Sequence, residues 1–212
     1  CGMEIARKAG YPHSVRASSN LSIHSKYPII DTLKIFKPFN AHAVIINLEG
    51  QKLILVNTWL HYLPDAFEGM KKLTPDSLIA NEGPTRLKEI TAIISEVDHL
   101  ITDLKIPVII GGDFNSPSHL DWIESTKEFH YGKSVLWPVS WLMMEHGYID
   151  SFREANPDPT QTLEGTWGYL SPRDIISDRI DFIYYKSQKL KTRSSKIVMK
   201  DPEGGFFNSD HR

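Results

Sequence analysis

A chain of 212 residues, 41% hydrophobic and 24% charged, has the make-up of one soluble globular domain or slightly less than one. Its net charge of −2 excludes a bulk basic field for holding a polyanion, so any nucleic-acid contact has to come from a local patch. The lone Cys1 excludes an internal disulfide framework and a cysteine zinc site, and no apolar run is long enough to span a membrane as a helix.

The chain opens on Cys1-Gly2-Met3-Glu4-Ile5-Ala6, without an initiator Met or a signal segment, as though already inside a helix. It closes on Asp210-His211-Arg212. It reads as a fragment cut at both ends, with a lipoprotein beginning at Cys1 as the alternative. Residues Ile5 to Ala9 resemble a helix end stopped by Gly10. Leu21 to Lys26 alternates as a half-buried strand does. Ala43–Leu48 and Leu53–Leu60 are apolar strands separated by Glu49-Gly50-Gln51-Lys52, a predicted β-hairpin. Asn57, Trp59 and His61 fall at even steps and are expected on one face. A polar loop is expected from about Pro64 to Pro84. The clearest helix follows, with Leu87, Ile90, Ile94, Val97, Ile101 and Leu104 in a stripe at three- and four-residue steps.

Pro107 to Pro117 reads PVIIGGDFNSP. Val108-Ile109-Ile110 predicts a buried strand for that helix to lie on. Two glycines then release the backbone, and Asp113 and Asn115 follow on one face. An Asx turn is the plain reading of such a pair, and joint aim at a ligand is the other. Ser116-Pro117-Ser118 suits a helix start, and Val139 to His146 a short helix ended by Gly147. Asn156 to Tyr169 is a predicted loop carrying Thr166-Trp167. Ile180 to Tyr185 reads as a strand, and Ile197-Val198-Met199 as a short one. The whole is a sheet-rich α/β sandwich and not a regular βαβ array.

Three places set acid, amide or imidazole groups beside apolar strands: Asp113 with Asn115; Asp181 inside Asp178-Arg179-Ile180-Asp181; and Ser209-Asp210-His211. A buried Asp needs a partner, and for Asp181 an imidazole is a good candidate. Carboxylates, an amide oxygen and a His make a hard donor set of the kind that Mg²⁺ or Mn²⁺ accepts along with phosphate oxygens. No Gly-x-Ser-x-Gly motif and no P-loop is present. Asp150 and Arg153 are expected to form a structural ion pair. Trp167 is a candidate for stacking on a base or sugar. His119, Trp122, Trp137 and Trp141 read as packing or rim residues, and Lys71-Lys72 as a solvated pair.

Gly111-Gly112-Asp113-Phe114-Asn115, Asp178-Arg179-Ile180-Asp181-Phe182-Ile183-Tyr184 and Ser209-Asp210-His211-Arg212, in this order, resemble the endonuclease/exonuclease/phosphatase superfamily, the DNase-I-like phosphoesterases. Val56-Asn57-Thr58-Trp59-Leu60 is similar to its Asn-x-His-Leu strand, and Leu21 to Ile29 to the segment before that. The resemblance implies a two-layer β-sandwich flanked by helices, truncated at both ends, with residues 1–212 forming one incomplete domain. It implies that Asp113 acts near the attacking water or leaving group and that Asn115 orients the phosphate. Asp181 would hold His211, His211 would contact the scissile phosphate, Asp210 would approach the metal, and Asn57 would bond on the phosphate side.

Two departures stand out. The family's His is Trp59 here, with His61 two residues on as a substitute. The family's metal-binding Glu belongs upstream of Cys1, and Glu4 is a poor stand-in. A chain that began at Cys1 is therefore expected to bind metal badly and to be inactive or nearly so. The expected protein is a Mg²⁺- or Mn²⁺-dependent phosphoesterase, first a phosphodiesterase or endonuclease. A phosphomonoesterase or lipid phosphodiesterase is the alternative, and a non-catalytic binding module is a rival of another class. Its partner would be a phosphate-ester substrate such as nucleic acid, nucleotide or lipid head group. A monomer is expected, and a secreted or periplasmic setting is slightly favoured.

Overall fold

The computed structural model describes residues 2–168, 177–198 and 209–211. Cys1, Tyr169, Met199 and Arg212, each part of an expectation above, lie outside them. The chain runs α1 (Gly2–Lys8), β1 (His13–Arg16), β2 (Ser22–Ser25), β3 (Ile29–Leu33), β4 (Ala41–Leu48), β5 (Gln51–Trp59), α2 (Ala66–Lys72), α3 (Pro75–Glu82), α4 (Lys88–Leu104), β6 (Val108–Asp113), α5 (Pro138–Glu145), β7 (Ile149–Asp150), α6 (Ser151–Ala155) and β8 (Asp181–Lys186). Six strands form one sheet in the order β3-β4-β5-β6-β8-β7, and β1 and β2 form a second. Only β5–β6 is parallel; the other pairings in the large sheet are antiparallel.

Alternation of side chains gives the large sheet two apolar faces. Ala43, Ile45, Ile54, Val56, Val108, Ile110, Phe182 and Tyr184 pack with Ile90, Ile93, Ile94 and Val97 of α4. On the other face Val44, Ile46 and Leu53 pack with Ile23 of β2. The fold is thus a DNase-I-like α/β sandwich in which the second layer, among the described residues, has two strands. The α4 stripe is buried as its period predicts, except that Leu104 at the helix end is exposed. The β4–β5 hairpin turns on Glu49 and Gly50, both at positive φ, the geometry of a two-residue turn that matches strand twist.

Four expectations need correction. The predicted loop from Pro64 to Pro84 holds α2 and α3. Asp65 accepts from the Phe67 and Glu68 amides, and Thr74 accepts from the Ser77 amide with Pro75 at the first helical position, so both starts carry ordinary capping chemistry. No α-helix begins at Ser116. Instead Ser118 Oγ accepts from the Leu120 amide 3.2 Å away, closing a local turn, and the first helical segment is the 3₁₀ turn Glu124–Phe129. Ile197 and Val198 are in no strand. Asp150 and Arg153 do not pair with each other: Asp150 caps α6 and pairs with Arg179, and Arg153 pairs with Asp121.

Among the described residues no helix is long and apolar enough to cross a membrane.

Candidate active site

Strands β5, β6 and β8 reach one level at one end of the large sheet. Trp59 is the register partner of Asp113 across β5–β6, and Asp113 the partner of Asp181 across β6–β8. All three stand on the face away from α4. The second glycine of the motif makes this possible. A Cβ on Gly112 would lie 1.9 Å from the Thr58 carbonyl oxygen, and its φ is +148°. No other residue type fits.

His211 closes the site. Its Nδ1 lies 2.8 Å from Asp181 Oδ2, so the imidazole expected as the partner of Asp181 is found. One ligand atom each from Asp113, Asp181 and His211 lies within 4.8 Å of the others. Burial and the facing charge of Asp181 push the Asp113 carboxyl up to about 6, against hydrogen bonds from Asn115 and the charge of His211. Burial would lower His211, but the Asp181 hydrogen bond and the charges of Asp181, Asp113 and Asp210 outweigh it and raise its pKa. An acid pair held this way, half-buried and short of positive charge, fits a divalent cation.

Asn115 shows that the two readings of its motif are compatible. Its main-chain N–H donates to Asp113 Oδ1 at 2.8 Å, an Asx turn. Its amide N–H groups donate to Leu60 O at 2.8 Å and Asp113 Oδ2 at 3.0 Å. The amide therefore orients Asp113, and its oxygen remains for a ligand.

The other sequence candidates stand around this core. Asp210 is exposed, and Trp167 Nε1 donates to its Oδ2 at 3.3 Å. The Trp167 ring lies 4.3 Å from that of Phe67, and the Trp167 backbone bridges both Asp178 and His211. Asn57 is one step down β5 from Trp59 and donates to the Ser22 carbonyl at 3.1 Å, tying the two sheets together. His61 is not on the strand face, because β5 ends at Trp59. Its Nδ1 accepts from the Leu63 amide.

Three supports were not foreseen. Thr166 Oγ1 accepts from the Ile180 and Asp181 amides, 3.0 Å each, which fixes the entry to β8. Arg86, wholly buried, bonds Glu82 at 2.6 Å and donates to the Tyr62 and Pro64 carbonyls at 2.9 and 2.8 Å. It clamps the loop that gives Leu60 O to Asn115. Behind β8, Arg179 and Arg153 hold Asp121 and Asp150. The i,i+4 spacing of Glu82 and Arg86 was a helix signal, masked by Gly83-Pro84.

Residues 4–204 match the Endonuclease/Exonuclease/phosphatase family. The chain belongs to it. An uncharacterised Caenorhabditis elegans protein is 41% identical over 91 residues, 38% of this chain and 28% of its own length. The chain thus matches little more than a quarter of that relative. Among solved structures, a 3'-5' exonuclease from Neisseria meningitidis is similar with a TM-score of 0.55 and 18% identity, covering 87% of this chain and 70% of its own. The human Nocturnin catalytic domain, with a bound sulfate anion, has a TM-score of 0.55 and 13% identity over 99% of this chain and 72% of its own. At these identities the likeness is one of fold, and it agrees with the DNase-I-like sandwich.

Proposed function

We propose that this protein is a divalent-metal-dependent hydrolase of phosphate esters, acting first on phosphodiesters. The convergence of Asp113, Asp181 and His211 at one strand end carries the reading. Asp113 and Asp181, with Asp210 beside them, are the groups that would hold Mg²⁺ or Mn²⁺. When bound, the ion supplies charge neutralisation and a more acidic water.

The chain's own residues do the rest. Asp181 accepts from His211 Nδ1 and so fixes the ring's tautomer and aim, leaving Nε2 to face a phosphoryl oxygen or to move a proton. Asn115 and the Asx turn keep Asp113 from rotating away. Trp167 shields the His211 side and offers a ring edge to the substrate. Asn57 and His61 are held by main-chain contacts and stand at the rim of the phosphate site. Phosphoryl transfer asks mainly for such positioning.

The test is hydrolysis of bis(p-nitrophenyl) phosphate and of a short single-stranded oligonucleotide, with Mg²⁺, with Mn²⁺ and with EDTA. Turnover with metal, lost in EDTA and reduced about 10²–10⁴-fold by His211→Ala, supports the reading. Turnover unaffected by His211→Ala would overturn it.

A further inference from the structure

The residue beside Asp113 in the sheet is an aromatic one, and it is not alone. Trp59, half-buried, meets Phe39 edge-on at 5.7 Å and Tyr62 at 6.3 Å, and His61 lies 6.1 Å from it. His61 and Tyr62 are parallel within 2° at 5.3 Å. This is the outside of the molecule: Phe39 is 48% exposed, Tyr62 51% and the adjacent Leu63 45%. Four rings gathered at the surface are unusual unless something covers them.

The cluster is also held still. Asn20 Nδ2 donates to the Phe39 carbonyl. Asn40 pairs with the Trp59 backbone in both directions, through Trp59 N to Asn40 O and Asn40 Nδ2 to Trp59 O. Glu89 accepts from the His61 amide at 2.8 Å, and Arg86 grips the Tyr62 carbonyl. The backbone that carries the rings is therefore fixed before any ligand arrives, which lowers part of the entropy cost of stacking on them.

We propose that Phe39, Trp59, His61 and Tyr62 form a stacking platform for a nucleobase attached to the phosphate that the Asp113–Asp181–His211 cluster acts on. The inference rests on the phosphoesterase reading for where the phosphate lies. Register places Trp59 one interstrand step from Asp113, about 4.8 Å, so a base stacked on the platform would carry its phosphate toward the acids. A flat π-face is what aromatic walls recognise, and every base has one. A choline or inositol head group has none. The net charge of −2 gives no field for a long backbone, so stacking carries the recognition.

The test measures binding in EDTA, where no ester is consumed, using AMP, tetrathymidylate and β-glycerophosphate as probes. AMP should bind about tenfold or more tightly than β-glycerophosphate. Trp59→Leu should bring AMP down to the level of β-glycerophosphate, with Trp59→Phe restoring part of the difference. Tyr62→Ala, at an exposed position, should remove part of it. Equal affinity of the wild type for AMP and β-glycerophosphate overturns the proposal, and so does a preference that survives both Trp59→Leu and Tyr62→Ala. Tetrathymidylate above AMP assigns the platform to single-stranded nucleic acid, and parity assigns it to free nucleotides. Failure to hydrolyse bis(p-nitrophenyl) phosphate counts against the phosphoesterase reading alone, because the binding comparison does not use turnover.

Discussion

Two groups of carboxylates lie on either side of the start of β8, and they are wired in opposite ways. Behind the strand, Asp121 receives Arg153 Nε at 2.6 Å and Arg179 Nε at 2.8 Å, and Asp150 receives Arg179 Nη2 at 2.8 Å. Burial works against the charge of Asp121, yet the two guanidinium groups hold its carboxyl below the usual range. In front, Asp181 bonds His211 while Asp113 accepts from Asn115 and is pushed up to about 6. The rear group is closed: acids and guanidinium groups saturate one another. The front group has two half-buried acids, one imidazole and one amide, and no guanidinium among the described residues. Acidity in the sequence is the same in both, and what separates scaffold from site is whether the partners are complete.

The largest expected effect falls on the front group. Asp181→Asn should lower turnover about 10²–10⁴-fold while shifting unfolding free energy by no more than about 1 kcal/mol. His211 titration, followed by NMR, should drop toward the ordinary imidazole value. Loss of fold instead would erase the distinction between the groups.

The rear group should answer the other way. Arg179→Met leaves buried Asp150 without a guanidinium and Asp121 with that of Arg153 alone, and should cost about 3–5 kcal/mol of stability in denaturant melts. A fully stable Arg179→Met protein would show that the network is dispensable.

Asp178 tests a boundary between the two. It is buried, accepts from Trp122 Nε1 at 2.7 Å, and is raised to about 7 from 3.8 by burial and by Asp121, against the Trp122 hydrogen bond and the Arg179 charge. A carboxyl raised on folding keeps its proton longer in the native state. Stability from this group is therefore intact below about pH 4 and falls as pH rises toward 7, by about 1.4 kcal/mol per unit at most. Asp178→Asn keeps the acceptor for Trp122 and should flatten that slope in urea melts across pH 4–8.

The smallest effect should come from a pair that is neither closed nor catalytic. Lys186 and Asp98 meet at 2.9 Å on the half-exposed surface. Lys186→Ala should change stability by about 0–1 kcal/mol, less at high salt.

The front group was the more legible of the two. Asp113 and Asn115 announce themselves by an i,i+2 step after a buried run, and Asp181 by its place among Ile180, Phe182 and Ile183. Period located α4, and apolar runs located β4, β5 and β8. The rear group was not legible, because Asp121 finds its partners 32 and 58 residues away, and nothing local marks it. Arg153 was given to Asp150 for the same reason: proximity in sequence stood in for proximity in space. The helices α2 and α3 were missed although Asp65 and Thr74-Pro75 carry start signals, since Gly and Pro nearby suggested a loop. Ser116-Pro117-Ser118 carries the same kind of signal and makes a turn.

Gly112 touches the Thr58 carbonyl more closely than any side chain would allow, and that contact locks β5 to β6 at the level of Trp59 and Asp113. On the proposed reading, chemistry and recognition would sit on different strands, Asp113 on β6 and Trp59 on β5, whose offset is fixed by backbone. Residue 59 is free to change from one ring to another, or from imidazole to indole, without displacing the acid next to it.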